Sequence, residues 1–188
     1  GYAGPHLCLL CDGMGGPAGG DIASAVAVEH LMPLDADSHQ AGELLGLMRD
    51  AVQARKPLII SVAAGLPADT LEHWLGGELS VVRCMPNTPS LVGAGAAGLY
   101  ANARVTDDQQ RIAGELLEAV GLVEWVDDEA LLEAVTAVSG SAPAYFFLMF
   151  EAMEAAAVAQ GLSAATARRL AIQTALGAAT MAKHSDKD

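Results

Sequence analysis

Apolar positions in this chain come first in short runs and later in long helical stripes. The run HLCLLC at 6–11 reads as a buried strand, and residues 12–20 as a glycine-rich loop. An Ala-rich helix is expected from Asp21, a cap or first-turn acid, to about Met32, where Pro33 stops it. A second helix fits about Ala41 to Ala54, with Leu44, Leu45, Leu47, Met48 and Val52 along one side. The texture changes at Arg55-Lys56-Pro57. LIISV at 58–62 and VVRCM at 81–85 are unbroken, β-branched runs of the kind buried on both faces of a parallel sheet. A helix from about Pro67 to Leu75 separates them, a third strand fits around Gly98–Ala101, and a last one Val123–Val126. The helix between those two should run from Thr106 to about Val120, with Asp107 and Asp108 in its first turn. Such alternation predicts a parallel α/β sheet.

Beyond Asp127 the strands cease. Glu129 to about Val138 reads as helix and Ser139–Ala142 as a break, after which Pro143 suits the first turn of a helix ending at Gln160. Ser163 caps another, to about Lys183. The chain is therefore α/β first and all-α afterwards.

Composition narrows the function. Of 188 residues, 52% are hydrophobic and only 4% aromatic, so the core must be Ala, Leu and Val. Ten basic residues against 23 acidic give a formal charge of −13, a field that repels nucleic acid and anionic membrane. No uncharged run reaches the roughly 18 apolar residues of a membrane span, and no basic-then-apolar leader opens the chain. Cys8 and Cys11 stand three apart in a strand and so point to opposite faces, which opposes joint chelation. With Cys84 they read as buried thiols of a reducing compartment, and a cytoplasmic location is expected. His6, His30, His39, His73 and His184 are scattered, and Trp74 and Trp125 read as packing residues. Asp127-Asp128-Glu129 reads as a helix start, and the Tyr145, Phe146, Phe147, Phe150 group as a core or dimer seam.

In open parallel sheets, ligands bind outside the carboxyl ends of strands. Two such ends here are small or rigid: Ala63-Ala64-Gly65 and Met85-Pro86-Asn87-Thr88-Pro89. Small residues let a flat ring or ribose approach the backbone, and two prolines fix the loop presenting Asn87 and Thr88.

The run VVRCMPNTPSLVGAGAAGLYAN, then AVTAVSGSAPAYFF, then GLSAATARRLAIQTALGAATMA resembles pyrroline-5-carboxylate reductase in order and spacing. The resemblance implies a partial Rossmann-like parallel sheet followed by a helical dimerisation-type domain, truncated at both ends. It implies NADPH or NADH as cofactor, 1-pyrroline-5-carboxylate as substrate, proline as product and a homodimer or larger homo-oligomer. Ala63, Gly65, Pro86, Asn87 and Thr88 would line the cofactor, and Thr136 with Ser139, Gly140 and the residues to Pro143 would face the imine. Ala142 stands where that family usually has glycine. A protonated imine is already electrophilic, so hydride transfer needs positioning more than a strong acid. The family's Ser/Thr-Gly-Gly-Thr loop for the substrate carboxylate is not reached, and the expected nucleotide fingerprint is replaced.

What replaces it is LCDGMGGPAGGDIASAVAVEHL, which fits G-x-G-x-x-A at Gly13–Ala18. Asp12 at the mouth of the loop and Pro17 within it oppose a pyrophosphate site. The segment is more similar to the metal-dependent protein phosphatases of the 2C class, in which Asp12 and Gly13 would be Mg²⁺ or Mn²⁺ ligands. Expected boundaries are thus 1–55 for a phosphatase-like segment, 56–126 for the nucleotide-binding part and 127–188 for the helical part. The alternatives are a phosphatase fragment and a composite chain without activity.

Overall fold

A computed structural model describes residues 7–10 and 38–185. The helix expected at 21–32 and the metal ligands expected at Asp12 and Gly13 lie outside these residues. Strand β1 (Leu7–Leu10) is followed by α1 (Ser38–Arg55), β2 (Leu58–Ser61), α2 (Ala68–Trp74) and β3 (Val81–Met85). A short 3₁₀ turn (Thr88–Val92) leads to β4 (Gly95–Ala101), α3 (Asp107–Glu118) and β5 (Gly121–Trp125). The helical part comprises α4 (Leu131–Val135), a π turn (Thr136–Gly140), α5 (Ala142–Ala159) and α6 (Ala164–Lys183).

Among the described residues five strands lie in sequence order in one sheet. The pairs β1–β2, β2–β3 and β4–β5 are parallel, but β3–β4 is antiparallel, with Arg83 opposite Tyr100 and Met85 opposite Gly98. The sheet is thus mainly parallel, as expected, with one antiparallel pair that the strand–helix alternation does not announce. Between β3 and β4 the chain has only a 3₁₀ turn closed by Gly93 at φ 70°, too short for the crossover that a parallel return requires. Strand β4 also begins earlier than expected, because its glycines and alanines carry little β signal.

Alternation along β2 and β3 divides their side chains between two cores. Ile59 and Val81 pack with Leu45 and Val52 of α1 and Leu71 of α2. Leu58, Ile60, Val82 and Cys84 pack with Leu99 and with Ala113 of α3. Both faces of the central strands are thus covered, which explains their uninterrupted apolar sequence. Trp74 and Trp125 pack against these cores from the side. Helix α3 starts with a reciprocal capping box between Thr106 and Gln109, behind which Asp107 and Asp108 meet the positive end of the helix.

Polar closure of the sheet depends on Glu72. Its Oε1 accepts from the Glu78 N–H at 2.7 Å and from Arg104 Nε at 2.9 Å, while Oε2 accepts from Asn102 Nδ2 at 3.3 Å. Burial pushes this carboxyl up, but the hydrogen bonds and charge of Arg104 with the backbone donors outweigh it, leaving the pKa below the ordinary 4.5. A lowered carboxyl contributes stability that is present above its unfolded value and lost as pH falls through its folded one. Urea midpoints should therefore drop as pH falls below 4.5, and Glu72→Gln should flatten that slope. An unchanged slope in the variant would remove Glu72 as the cause.

The chain divides into two compact units, residues 1–140 and 141–188. In the second, α5 and α6 pack on each other, Ala167 and Ala171 are buried, and Ser163 caps α6 by accepting from the Thr166 N–H. Tyr145, Phe146, Phe147, Leu148 and Met149 are all more than half exposed, so that apolar group is no part of this chain's own core. The segment Leu131–Ala159 has the length and composition of a membrane-crossing helix, although Glu133, Glu151 and Glu154 interrupt it. Helices buried between subunits have the same character.

Candidate functional site

The carboxyl ends of β2 and β3 open onto two cavities that share Met85 as a wall. One, of about 260 Å³, is bounded by Ala64, Pro86, Asn87, Thr88 and Gly140. The other, of about 240 Å³, is bounded by Gly65, Arg83, Glu129, Glu133 and Thr136. A third, apolar groove of about 430 Å³ runs between β4, β5 and α4, with Ser139 at its rim.

The residues expected at the cofactor are sorted by this arrangement. Pro86, Asn87 and Thr88 come together at one cavity, and Gly140, expected to face the imine, joins them. Gly65 lies at the neighbouring cavity with Thr136. Its φ of 72° is the reason for glycine there, since an added Cβ would meet nothing within 4 Å. Ala63 is buried with its N–H on Ser61 Oγ, and it is Ala64 that faces open space. Thr136, Ser139 and Gly140 therefore reach three different cavities from one π turn.

That turn departs from the plain helix expected over 129–138. Thr136 Oγ1 donates to Leu132 O at 2.8 Å and Ser139 Oγ to Val135 O at 3.0 Å. Both hydroxyls thus spend their hydrogen on the preceding turn and keep lone pairs for an incoming donor. Single π turns inside helices recur at functional sites.

Two connections escaped the sequence. Asn87 Oδ1 accepts the Ala96 N–H at 2.9 Å and its Nδ2 donates to Ser139 O at 3.0 Å. Arg83, nine-tenths buried, pairs with Glu129 at 2.9 Å, and Glu129 also accepts the Ala68 N–H at 2.7 Å. Glu129 therefore turns away from the helix start, where Asp128 alone accepts the Ala130 N–H. Burial raises the pKa of Tyr100, and the negative charges of Glu129, Asp69 and Asp128 raise it further. Nothing in the local sequence signals the Arg83–Glu129 pair, whose members lie 46 positions apart. Among the described residues no three metal-binding side chains converge.

Residues 129–188 match the family model described as pyrroline-5-carboxylate reductase dimerisation. The pyrroline-5-carboxylate reductase of Pseudomonas aeruginosa is 60% identical over 135 residues, covering 71% of this chain and 50% of that protein. Among solved structures, a pyrroline-5-carboxylate reductase from Coxiella burnetii superposes with a TM-score of 0.75 at 45% identity, over 80% of this chain and 56% of that one. The Plasmodium falciparum pyrroline carboxylate reductase with NADP bound gives 0.73 at 31% identity, over 81% and 57%. The chain spans about half the length of the curated relatives it matches.

Proposed function

We propose, for a chain that resembles the pyrroline-5-carboxylate reductases in both sequence and fold, that it takes part in NAD(P)H-dependent reduction of 1-pyrroline-5-carboxylate to proline. The observation that carries this reading is the cavity at the strand ends. It brings Ala64 and the Pro86-Asn87-Thr88 loop opposite Gly140 of the π turn, so cofactor-side and substrate-side residues share one space. The small side chain of Ala64 and the rigid Pro86 leave room for a flat ring against the backbone, and exposed Thr88 can hydrogen-bond a carboxamide. Gly65 and Thr136 extend the site on the far side of Met85. When bound, a dihydronicotinamide supplies the hydride. The chain's part is to hold donor and acceptor at reacting distance and to keep a lone pair of Thr136 free for an iminium N–H.

The exposed apolar side chains of α5 and α6 are the surface through which two copies associate, in keeping with the dimerisation family that residues 129–188 match. The cytoplasm is the compartment that fits this reading. The test is oxidation of NADPH and of NADH followed at high enzyme concentration with 1-pyrroline-5-carboxylate. Turnover that Thr88→Val lowers about tenfold, the worth of one hydrogen bond to a bound group, is the expected result. Absence of imine-dependent oxidation with either cofactor would remove the activity from this chain.

A further inference from the structure

We infer that Asn87 acts as a positioning residue, whose carboxamide fixes the distance between the cofactor-side loop and the substrate-side π turn. The inference rests on the reductase reading for its purpose but not for its geometry. Asn87 stands directly after Pro86 and starts the 3₁₀ turn Thr88–Val92, with an extended backbone at φ −133°. Its side chain leaves the loop and bridges two elements that no other hydrogen bond of the loop reaches together. The Ala96 N–H at the start of β4 can only donate, and the Ser139 carbonyl in the π turn can only accept. The carboxamide orientation is therefore set by its partners, with Oδ1 on Ala96 and Nδ2 on Ser139. No other uncharged side chain of this length offers one donor and one acceptor in that geometry.

Two consequences follow for the site. The side chain has one N–H left, so its bonding capacity goes mainly to the protein rather than to a ligand. And because Ser139 precedes Gly140, which walls the same cavity as Pro86 and Thr88, the Asn87–Ser139 bond sets the width of that cavity. Hydride transfer is sensitive to ångström-scale misplacement, so a side chain that fixes this width governs the reaction without touching the reacting atoms.

Asn87→Asp separates the two bonds. Its carboxylate still accepts from Ala96 but sets oxygen against the oxygen of Ser139; protonated, it can donate again. Amide hydrogen exchange on the full-length chain should show the Ala96 amide protected as in wild type. The amides of Thr136–Gly140 should exchange about tenfold faster at neutral pH. After correction for intrinsic rates, that difference should close as pH falls through the carboxyl's own titration. Asn87→Ala should lose protection at both places and recover at neither pH. In parallel, NADPH affinity measured by fluorescence should fall about tenfold in Asn87→Asp at neutral pH. Equal protection of the π turn in Asn87→Asp and wild type, or no recovery at low pH, would overturn the proposal. Should Asn87→Asp not fold, its wild-type counterpart still decides: fast exchange of the π-turn amides in wild type means no such bond holds them. Wild-type chain that shows the exchange pattern yet binds no NADPH supports the pin and counts against the reductase reading alone.

Discussion

Gly121→Ala should lower the stability of the sheet-bearing unit by about 3 kcal/mol, the upper range for forcing atoms into a packed interior. An added Cβ would run into the Gly95 carbonyl oxygen and stand 2.5 Å from its carbon and 2.6 Å from its Cα. These are backbone atoms of the facing strand, in a pair where Gly95 lies opposite Gly121 and donates its N–H to Val120 O at 2.9 Å. No rotamer change relieves the overlap; the β4–β5 pairing itself must spread. Gly46→Ala supplies the control, since it lies within α1 with nothing within 4 Å of the added carbon. It should stabilise by about 0.5–1 kcal/mol through helix propensity and a less flexible unfolded chain. The comparison is made by urea denaturation of both variants. A loss below about 1 kcal/mol for Gly121→Ala would show that the two strands have slack and that this close approach is not structural.

Arg83→Met should cost nearly as much, about 2–3 kcal/mol. The substitution keeps the buried stem but strands the Glu129 carboxylate, three-quarters covered, with only the Ala68 N–H for a partner. Solvent reaching Glu129 keeps the figure below that of a fully enclosed pair. Glu129→Gln should cost less, because a neutral oxygen still accepts from both donors. A double-mutant cycle between the positions should give a coupling of at least about 1 kcal/mol, as contacting charged groups do. Strict additivity would mean that the guanidinium and carboxylate are close without interacting. The pair ties β3 to the segment leading into α4, so its loss should also open the cavity shared by Gly65 and Thr136.

Much of this architecture was legible. The runs 58–62 and 81–85 could hardly be anything but central strands, and the break at Ser139 announced a change in the helix. What local pattern could not convey was direction. The residues of β4 alternate weakly, and nothing in GAAGLYA tells which way it runs beside β3. That was decided by the length of the connection. The π turn was equally hidden, because one extra residue per turn leaves no compositional trace. At the site, Pro86, Asn87 and Thr88 stood out as a rigid loop with polar groups, and the structure does bring them to one cavity. Their bonds did not stand out. Asn87 reads as a ligand contact until its two partners are known, and Glu129 reads as a helix start until Arg83 is found against it.

The reversal of β4 also bears on how the sheet assembles. Because β4 returns directly on β3, pairing Met85 with Gly98 closes a loop of little more than a dozen residues. Pairing Leu7 with Leu58 must close one of about fifty, which adds about 1 kcal/mol of loop entropy before any contact repays it. The β3–β4 pair is thus the least costly of the strand pairings to form, and with its connecting turn it already contains Met85, Asn87 and Ala96. The loop at the strand ends acquires its shape early, from its own neighbours in sequence, while β1 joins a sheet that is otherwise complete.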